Sequence, residues 1–121
     1  MAVEVIGRSI QIPQGDTGVV KFLVEKTEIG ESDRALFTVA SRSRGTILRK
    51  VLTPGEEEGV FRLPFVYEDT AALKPDSYEW SLRVARNGTF NEKGRITDVG
   101  ELHTPILKGR LTVLPVAGGA R

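Results

Sequence analysis

The chain contains no cysteine among its 121 residues and only one histidine. The missing cysteines exclude a disulfide framework and any metal site built on thiolates. A single histidine also gives no basis for an ordinary transition-metal site, so we expect neither a metal nor another cofactor. This composition fits a protein that folds in a reducing cytoplasm.

A strong charge of either sign is missing as well. Lysine and arginine total 17 against 16 acidic residues, which gives a formal net charge of +1. Because electrostatic capture of nucleic acid or of an anionic membrane needs a basic excess on one face, we expect neither as a partner.

A local basic cluster is nevertheless present at one predicted hairpin, formed by Arg42, Arg44, Arg49 and Lys50. It either binds nucleic acid or an acidic partner, or it protects an exposed strand edge from unwanted pairing. The second interpretation is favoured because no aromatic residues for base stacking are interleaved with these charges. The sequence leaves open whether the cluster binds anything.

Long apolar runs are absent too. No stretch approaches the roughly 20 apolar residues that cross a bilayer. The first seven residues include a glutamate and too short an apolar run for a signal peptide. We therefore expect a chain that is made in the cytoplasm without a signal peptide and that does not enter a membrane.

The dominant pattern in the chain is the alternation of apolar and polar residues, which is typical of β-strands. The predicted strands cover residues 9–13, 19–25, 34–41, 46–52, 60–63, 77–86 and 106–114. Turns are predicted at 13–16, 42–45 and 87–88, a loop at 53–59, a longer mobile loop between 89 and 103, and one helical turn at 69–73 with Asp69 as its cap. Gly109 is interpreted as a bulge.

These elements predict an all-β protein of about seven or eight strands, as a β-sandwich or a small barrel. The alternation alone does not separate an immunoglobulin-like topology from a jelly roll. We expect one domain over residues 1–115, followed by a flexible tail at 116–121.

The predicted core is centred on strand 77–86, where four large side chains fall on one face. These are Tyr78, Trp80, Leu82 and Val84, which we expect to pack against Phe22 and Phe37. Strand 34–41 has two possible inward sets, either Ala35, Phe37 and Val39 or Leu36 and Ala40, and aromatic weight favours the first. The alternation of Tyr78 and Trp80 with aliphatic residues favours burial over a sugar-binding platform.

Candidates for catalysis are few. His103 could meet Asp98 and Glu101 at a metal, but on a strand only Glu101 shares its face, so a solvated histidine is favoured. No serine occupies a nucleophile elbow, and no glycine-rich loop precedes a phosphate-binding lysine. The acids cluster in predicted loops, which favours solvated charges over a catalytic carboxylate pair. We therefore assign no catalytic, cofactor-binding or metal-binding residue.

Five short motifs together resemble the N-terminal domain of the baseplate upper protein of phages that infect Gram-positive bacteria. They are Gly15-Asp16-Thr17 before Val19-Val20-Lys21-Phe22, Arg49-Lys50-Val51-Leu52, Thr70-Ala71-Ala72-Leu73, Pro75-Asp76-Ser77-Tyr78-Glu79-Trp80, and Lys108-Gly109-Arg110-Leu111-Thr112-Val113. The resemblance covers nearly the whole chain, but each motif belongs to a β-sandwich pattern rather than to a chemical site.

The resemblance implies an immunoglobulin-like sandwich that acts without catalysis as an assembly module of a phage or prophage tail or baseplate. Its expected partners are other phage structural proteins or a second copy of itself, and its expected destination is the virion after synthesis in the bacterial cytoplasm. The alternative is a carbohydrate-binding or adhesion module, which uses the same fold and predicts aromatic side chains exposed in a groove. An enzyme would instead need an acidic pair of perturbed pKa inside a pocket.

Overall fold

The computed structural model describes residues 4–23, 32–55, 59–86, 90–91 and 101–115. The protein is all-β, with one short helix among these residues. The strands are β1 (Glu4–Ile6), β2 (Ser9–Pro13), β3 (Gly18–Leu23), β4 (Arg34–Ser41), β5 (Gly45–Leu52), β6 (Val60–Phe65), β7 (Asp76–Arg86) and β8 (Glu101–Leu114), and the helix is α1 (Tyr67–Ala71).

The strands form a larger sheet of six and a smaller sheet of two. The larger sheet has the order β1-β2-β8-β7-β4-β5, and the smaller sheet pairs β3 with β6. All pairings are antiparallel except that of β2 with β8, which aligns Ile10 with Leu111 in parallel. The chain thus leaves the larger sheet twice, for β3 and for β6, and returns each time.

One hydrophobic cluster joins the two sheets. The Phe22 ring of the smaller sheet lies 5.2 Å from Trp80 and 5.8 Å from Phe37 of the larger sheet, measured between ring centroids. Phe65, also from the smaller sheet, meets Phe37 edge-on at 6.0 Å. The predicted core is confirmed, with Tyr78 half-buried at its margin.

The favoured inward set of β4 is also confirmed, since Ala35, Phe37 and Val39 all lie in this cluster. Leu36 is buried as well, but on the opposite face of the sheet. There it packs with Ala85 and Phe90 in a second, smaller cluster.

The predicted strand 60–63 is too short, because β6 continues through Pro64 to Phe65 and pairs Pro64 with Val19 of β3. Proline lacks a backbone N–H, so it is tolerated in strands that lie at a sheet edge. In a sheet of two strands both strands are edges, and Pro64 therefore costs β6 little.

One strand boundary and one bulge also differ from the prediction. Strand β8 begins at Glu101 rather than at 106, and the irregularity in its pairing falls opposite Leu82 to Val84 rather than at Gly109. The Thr-Pro dipeptide at 104–105 interrupts the alternation just where the pairing shifts, which is why the sequence shows only the later part of the strand.

Helix α1 begins at Tyr67, before the predicted cap Asp69. The Asp69 carboxylate nevertheless serves the helix start from inside the first turn, where its Oδ2 accepts the backbone N–H of Val66 at 2.8 Å. With five residues, α1 is far too short to cross a bilayer, and no helix in the described part of the chain is long and apolar enough to do so.

Other expectations concern residues outside those described. The Asn87-Gly88 turn, Asp98 and the rest of 92–100, the strand end at 24–25, and the tail at 116–121 all lie there. The hairpin at 42–45 is described and confirmed, with Gly45 at φ +70°, in the left-handed region that favours glycine.

Candidate functional site: the polar outer face of the larger sheet

One face of the larger sheet points away from the smaller sheet and carries mostly polar side chains. At its centre the residues are small, since Thr38 of β4 lies opposite Ser81 of β7 and Ala40 lies opposite Glu79. Alternation places these residues outward because their neighbours Phe37, Val39 and Trp80 face the core. The small side chains leave the middle of this face shallowly concave.

Charged side chains border the concavity. Lys108 and Arg110 of β8 lie opposite Ser81 and Glu79 of β7, and Arg49 of β5 lies opposite Thr38. The three cationic side chains and Glu79 are all exposed. Neighbouring strands are about 4.8 Å apart, so the backbones that carry Arg49 and Lys108 are separated by roughly 14 Å across four strands.

Two adjoining hollows make up this concavity. One, of about 520 Å³, lies over Thr38, Ser81 and Lys108. The other, of about 320 Å³, extends toward the β4–β5 turn and the start of β7. Both hollows are lined by Ala40, Glu79 and Arg110, and they therefore form one open depression, which we call the outer trough.

Beneath the trough, close packing around one backbone oxygen fixes the position of β8. The carbonyl oxygen of Arg8 accepts the indole N–H of Trp80 at 3.0 Å and the backbone N–H of Arg110 at 3.2 Å. Gly109 leaves room for this arrangement, since a Cβ there would lie 2.0 Å from the Arg8 oxygen and 2.6 Å from the indole. Gly109 is thus required for close packing, and it places its neighbours Lys108 and Arg110 at the trough.

Tyr78 lies at the end of the trough near the β4–β5 turn. Its hydroxyl donates to the carbonyl of Lys74 at 2.7 Å. Burial raises the pKa of Tyr78, the negative charge of Asp76 raises it further, and Arg44 opposes both effects. The phenol therefore stays protonated and occupied as a donor.

The predicted basic cluster is divided between two faces of β5. Arg42 and Arg44 are exposed in the turn, where Arg42 lines the trough. Arg49 lies on the same face of the sheet, opposite the lining residue Thr38. Lys50 points the other way, where its Nζ donates to Asp69 at 2.6 Å and to the carbonyl of Pro64. β5 is the last strand of the larger sheet, as the edge-protection interpretation requires, but Lys50 is already engaged within the fold.

The residues considered for a metal site are not brought together by any described contact. His103 lies in β8 opposite Val84, Asp98 is outside the described residues, and the side chains of Glu101 and His103 are not described. Within the described ranges, no group of three histidine or acidic residues is placed to hold a metal ion.

The sequence alone does not predict the trough, although it does predict one of the polar strand faces that form it. Glu79 and Ser81 already mark a polar face of strand 77–86. Nothing in the sequence shows that β4, β5 and β8 place Thr38, Arg49 and Lys108 beside them, because that neighbourhood depends on the strand order.

No protein-family model matches the chain, and no curated protein matches it either. The trough offers cations and hydroxyls as hydrogen-bond donors, together with the two carboxylates of Asp76 and Glu79. Its lining in the described structure pairs no nucleophile with a base.

Proposed function

We propose that this chain is a non-catalytic, immunoglobulin-like β-sandwich that serves as an assembly module of a phage or prophage particle. It binds other structural proteins of the particle through the outer trough. The observation that carries the proposal is the open form of the trough, in which exposed charges border a floor of small residues. Small-molecule sites are usually concave, mostly apolar and enclosed, whereas the border of a protein interface is polar and accessible.

The strand order supports the immunoglobulin-like part of the proposal. In a variable-type immunoglobulin domain, strands G, F, C and C′ are neighbours in one sheet, and B and E are neighbours in the other. Here β8-β7-β4-β5 have the same order, and β3 pairs with β6. The buried tryptophan is a departure, because Trp80 lies on the strand equivalent to F rather than to C.

The aromatic residues that line the trough favour assembly over the carbohydrate-binding alternative. A sugar platform needs an aromatic ring facing solvent in the groove. Trp80, which lies under the trough, is only 4% exposed, and its ring packs against Phe22 and Phe37. The phage part of the proposal is supported by the sequence resemblance.

Incorporation into particles tests the proposal. Tagged chain is expressed in the bacterium that encodes it, prophages are induced, and particles are banded on a density gradient. We expect the chain in the particle band, and we expect the Lys108→Glu, Arg110→Glu double variant to be lost from it. The matched control, Arg62→Glu with Lys74→Glu, makes the same charge change outside the trough and should remain in the band.

If particles form normally while the unmodified chain stays among unassembled proteins, the assembly role is wrong. Light scattering of the purified chain separates the two kinds of partner. A mass that increases with concentration indicates self-association, whereas a constant monomer mass leaves docking to another particle protein.

A further inference from the structure

We infer that the outer trough binds an extended protein segment carrying consecutive acidic residues, supplied by a partner protein. This inference rests on the proposed function, since it names the chemistry of the partner at the same surface. Exposed cations lie on two sides of the trough. Lys108 and Arg110 line it from β8, and Arg42 lines it at the β4–β5 turn. Arg49 lies on β5 opposite the lining residue Thr38.

The spacing of these cations matches that of an extended chain. Lys108 and Arg110 are two residues apart on one face of a strand, which separates them by about 7 Å. Residues i and i+2 of an extended segment are separated by the same distance and point to the same side. A segment lying in the trough therefore directs two acidic side chains toward β8 and the one between them toward Arg49.

The width of the trough fits the same arrangement. The backbones of β5 and β8 are roughly 14 Å apart. A segment that lies on the sheet midway between them is therefore displaced sideways by about 7 Å from each. That gap is spanned by a glutamate from the segment and an arginine or lysine from the sheet. The floor of Thr38, Ala40 and Ser81 carries no large side chain that would occupy the space.

The floor also favours a polypeptide over single-stranded nucleic acid. Single-stranded nucleic acid is held by aromatic side chains on which its bases stack. Among the described residues lining the trough, Trp80 is buried and Tyr78 is half-buried with its hydroxyl bonded to Lys74. Thr38 and Ser81 instead offer hydroxyls that suit peptide groups.

Glu79 provides the most informative variant. It is exposed in the trough opposite Arg110, so its carboxylate repels an acidic ligand. We expect Glu79→Gln to strengthen the binding of such a ligand by about twofold to threefold, within the range of exposed charge pairs. A gain in affinity cannot arise from a variant that merely fails to fold.

The experiment uses a labelled peptide with three consecutive glutamates flanked by glycines, titrated with the full chain by fluorescence anisotropy at low salt. Lys108→Glu with Arg110→Glu should weaken binding about tenfold or more, and raising the salt toward 0.2 M should weaken binding of the unmodified chain. The control pair Arg62→Glu with Lys74→Glu should change the affinity less than about twofold.

Other outcomes overturn the inference. These are no saturable binding at low salt, equal losses in the two double variants, equal binding of a peptide with glutamine in place of glutamate, or tighter binding of an oligothymidylate of similar length. The chain itself contains an acidic run at Glu56–Glu58. If the chain associates with itself and replacing all three glutamates with glutamine abolishes this association, the acidic segment comes from a second copy of the chain rather than from a partner protein.

The peptide titration and the particle experiment fail independently. If the peptide binds but the chain is not incorporated into particles, the inference of an acidic partner stands and the proposed phage role is wrong. Incorporation without peptide binding would retain the phage role and remove this partner chemistry.

Discussion

Gly109 shows how one residue without a side chain determines the position of a strand. A methyl group at this position would overlap the Arg8 carbonyl oxygen at 2.0 Å and the Trp80 indole at 2.6 Å. Since the nearest atom is backbone, Gly109→Ala forces β8 away from Arg8 and weakens both hydrogen bonds to that oxygen. We expect a loss of about 2–4 kcal/mol in the free energy of unfolding, measured by urea denaturation with Trp80 fluorescence.

Gly7→Ala is the control for this substitution. Gly7 has a φ of +61° but nothing within 4 Å of an added Cβ. We therefore expect this variant to lose only about 1–2 kcal/mol in the free energy of unfolding, the cost of placing a side chain in the left-handed region. A Gly109→Ala protein that is as stable as the unmodified chain would show that the packing between Arg8 and Trp80 is not as close as described.

Tyr78 makes the free energy of unfolding depend on pH in the alkaline range. Its pKa is raised chiefly by burial, so the folded state retains the phenol proton at a pH where the unfolded state has lost it. The contribution of Tyr78 to the free energy of unfolding is complete below the ordinary tyrosine pKa of about 10. It is lost as the pH rises through the pKa that Tyr78 has in the folded state.

Tyr78→Phe isolates this contribution. The variant loses the hydrogen bond to the Lys74 carbonyl, so it should be less stable at neutral pH. Above about pH 10 the difference in unfolding free energy should shrink, because only the unmodified chain must keep a phenol protonated. A difference that stays constant from pH 7 to 11 would contradict the raised pKa.

At the scale of elements, the Lys50–Asp69 ion pair connects β5, β6 and α1. Lys50 Nζ reaches Asp69 Oδ2 at 2.6 Å and the Pro64 carbonyl, while the same carboxylate oxygen accepts the Val66 N–H. Both side chains are largely buried, with 18% and 10% exposure. Removing one partner therefore leaves a poorly solvated charge on the other.

Lys50→Met should destabilise the protein by about 1–3 kcal/mol, and Lys50→Met with Asp69→Asn should cost less than the sum of the two single variants. Urea denaturation of the four proteins gives the coupling free energy. Arg49→Met changes the adjacent, exposed residue and should cost less than about 0.5 kcal/mol. Additive single variants would mean that the ion pair contributes nothing to holding the elements together.

The sequence predicts these elements well where alternation is uninterrupted. Strand β4 and the inward set Ala35, Phe37 and Val39 follow from it directly. Prediction fails where a proline interrupts the pattern, at Pro64 in β6 and at Pro105 in β8, since whether a strand tolerates proline depends on its position in the sheet.

The candidate site is less predictable than the elements for the same reason. The outward residues of each strand can be read from alternation, but which strands are neighbours cannot. Thr38 and Lys108 are 70 positions apart in the sequence and flank the same residue, Ser81, only because β4 and β8 both pair with β7. The basic cluster is divided for the same reason, since Lys50 forms an ion pair with Asp69 of α1, which comes later in the chain.

At the scale of the whole molecule, the two sheets share one core and should unfold together. Phe22 of the smaller sheet touches Phe37 and Trp80 of the larger, and neither sheet can bury these rings alone. We therefore expect one cooperative transition, with Trp80 fluorescence and far-ultraviolet circular dichroism changing at the same urea concentration.

Phe22→Ala tests this cooperativity from the smaller sheet. Phe22 is 7% exposed, and its truncation should cost about 3–5 kcal/mol. Because the signal of Trp80 comes from the larger sheet, a shared core requires both midpoints to fall by the same amount. Leu23→Ala, one residue further on the same strand but 58% exposed, should leave both midpoints nearly unchanged. If Phe22→Ala lowered the dichroism midpoint and left the fluorescence midpoint in place, β3 and β6 would be a separate unit resting on an independently stable larger sheet.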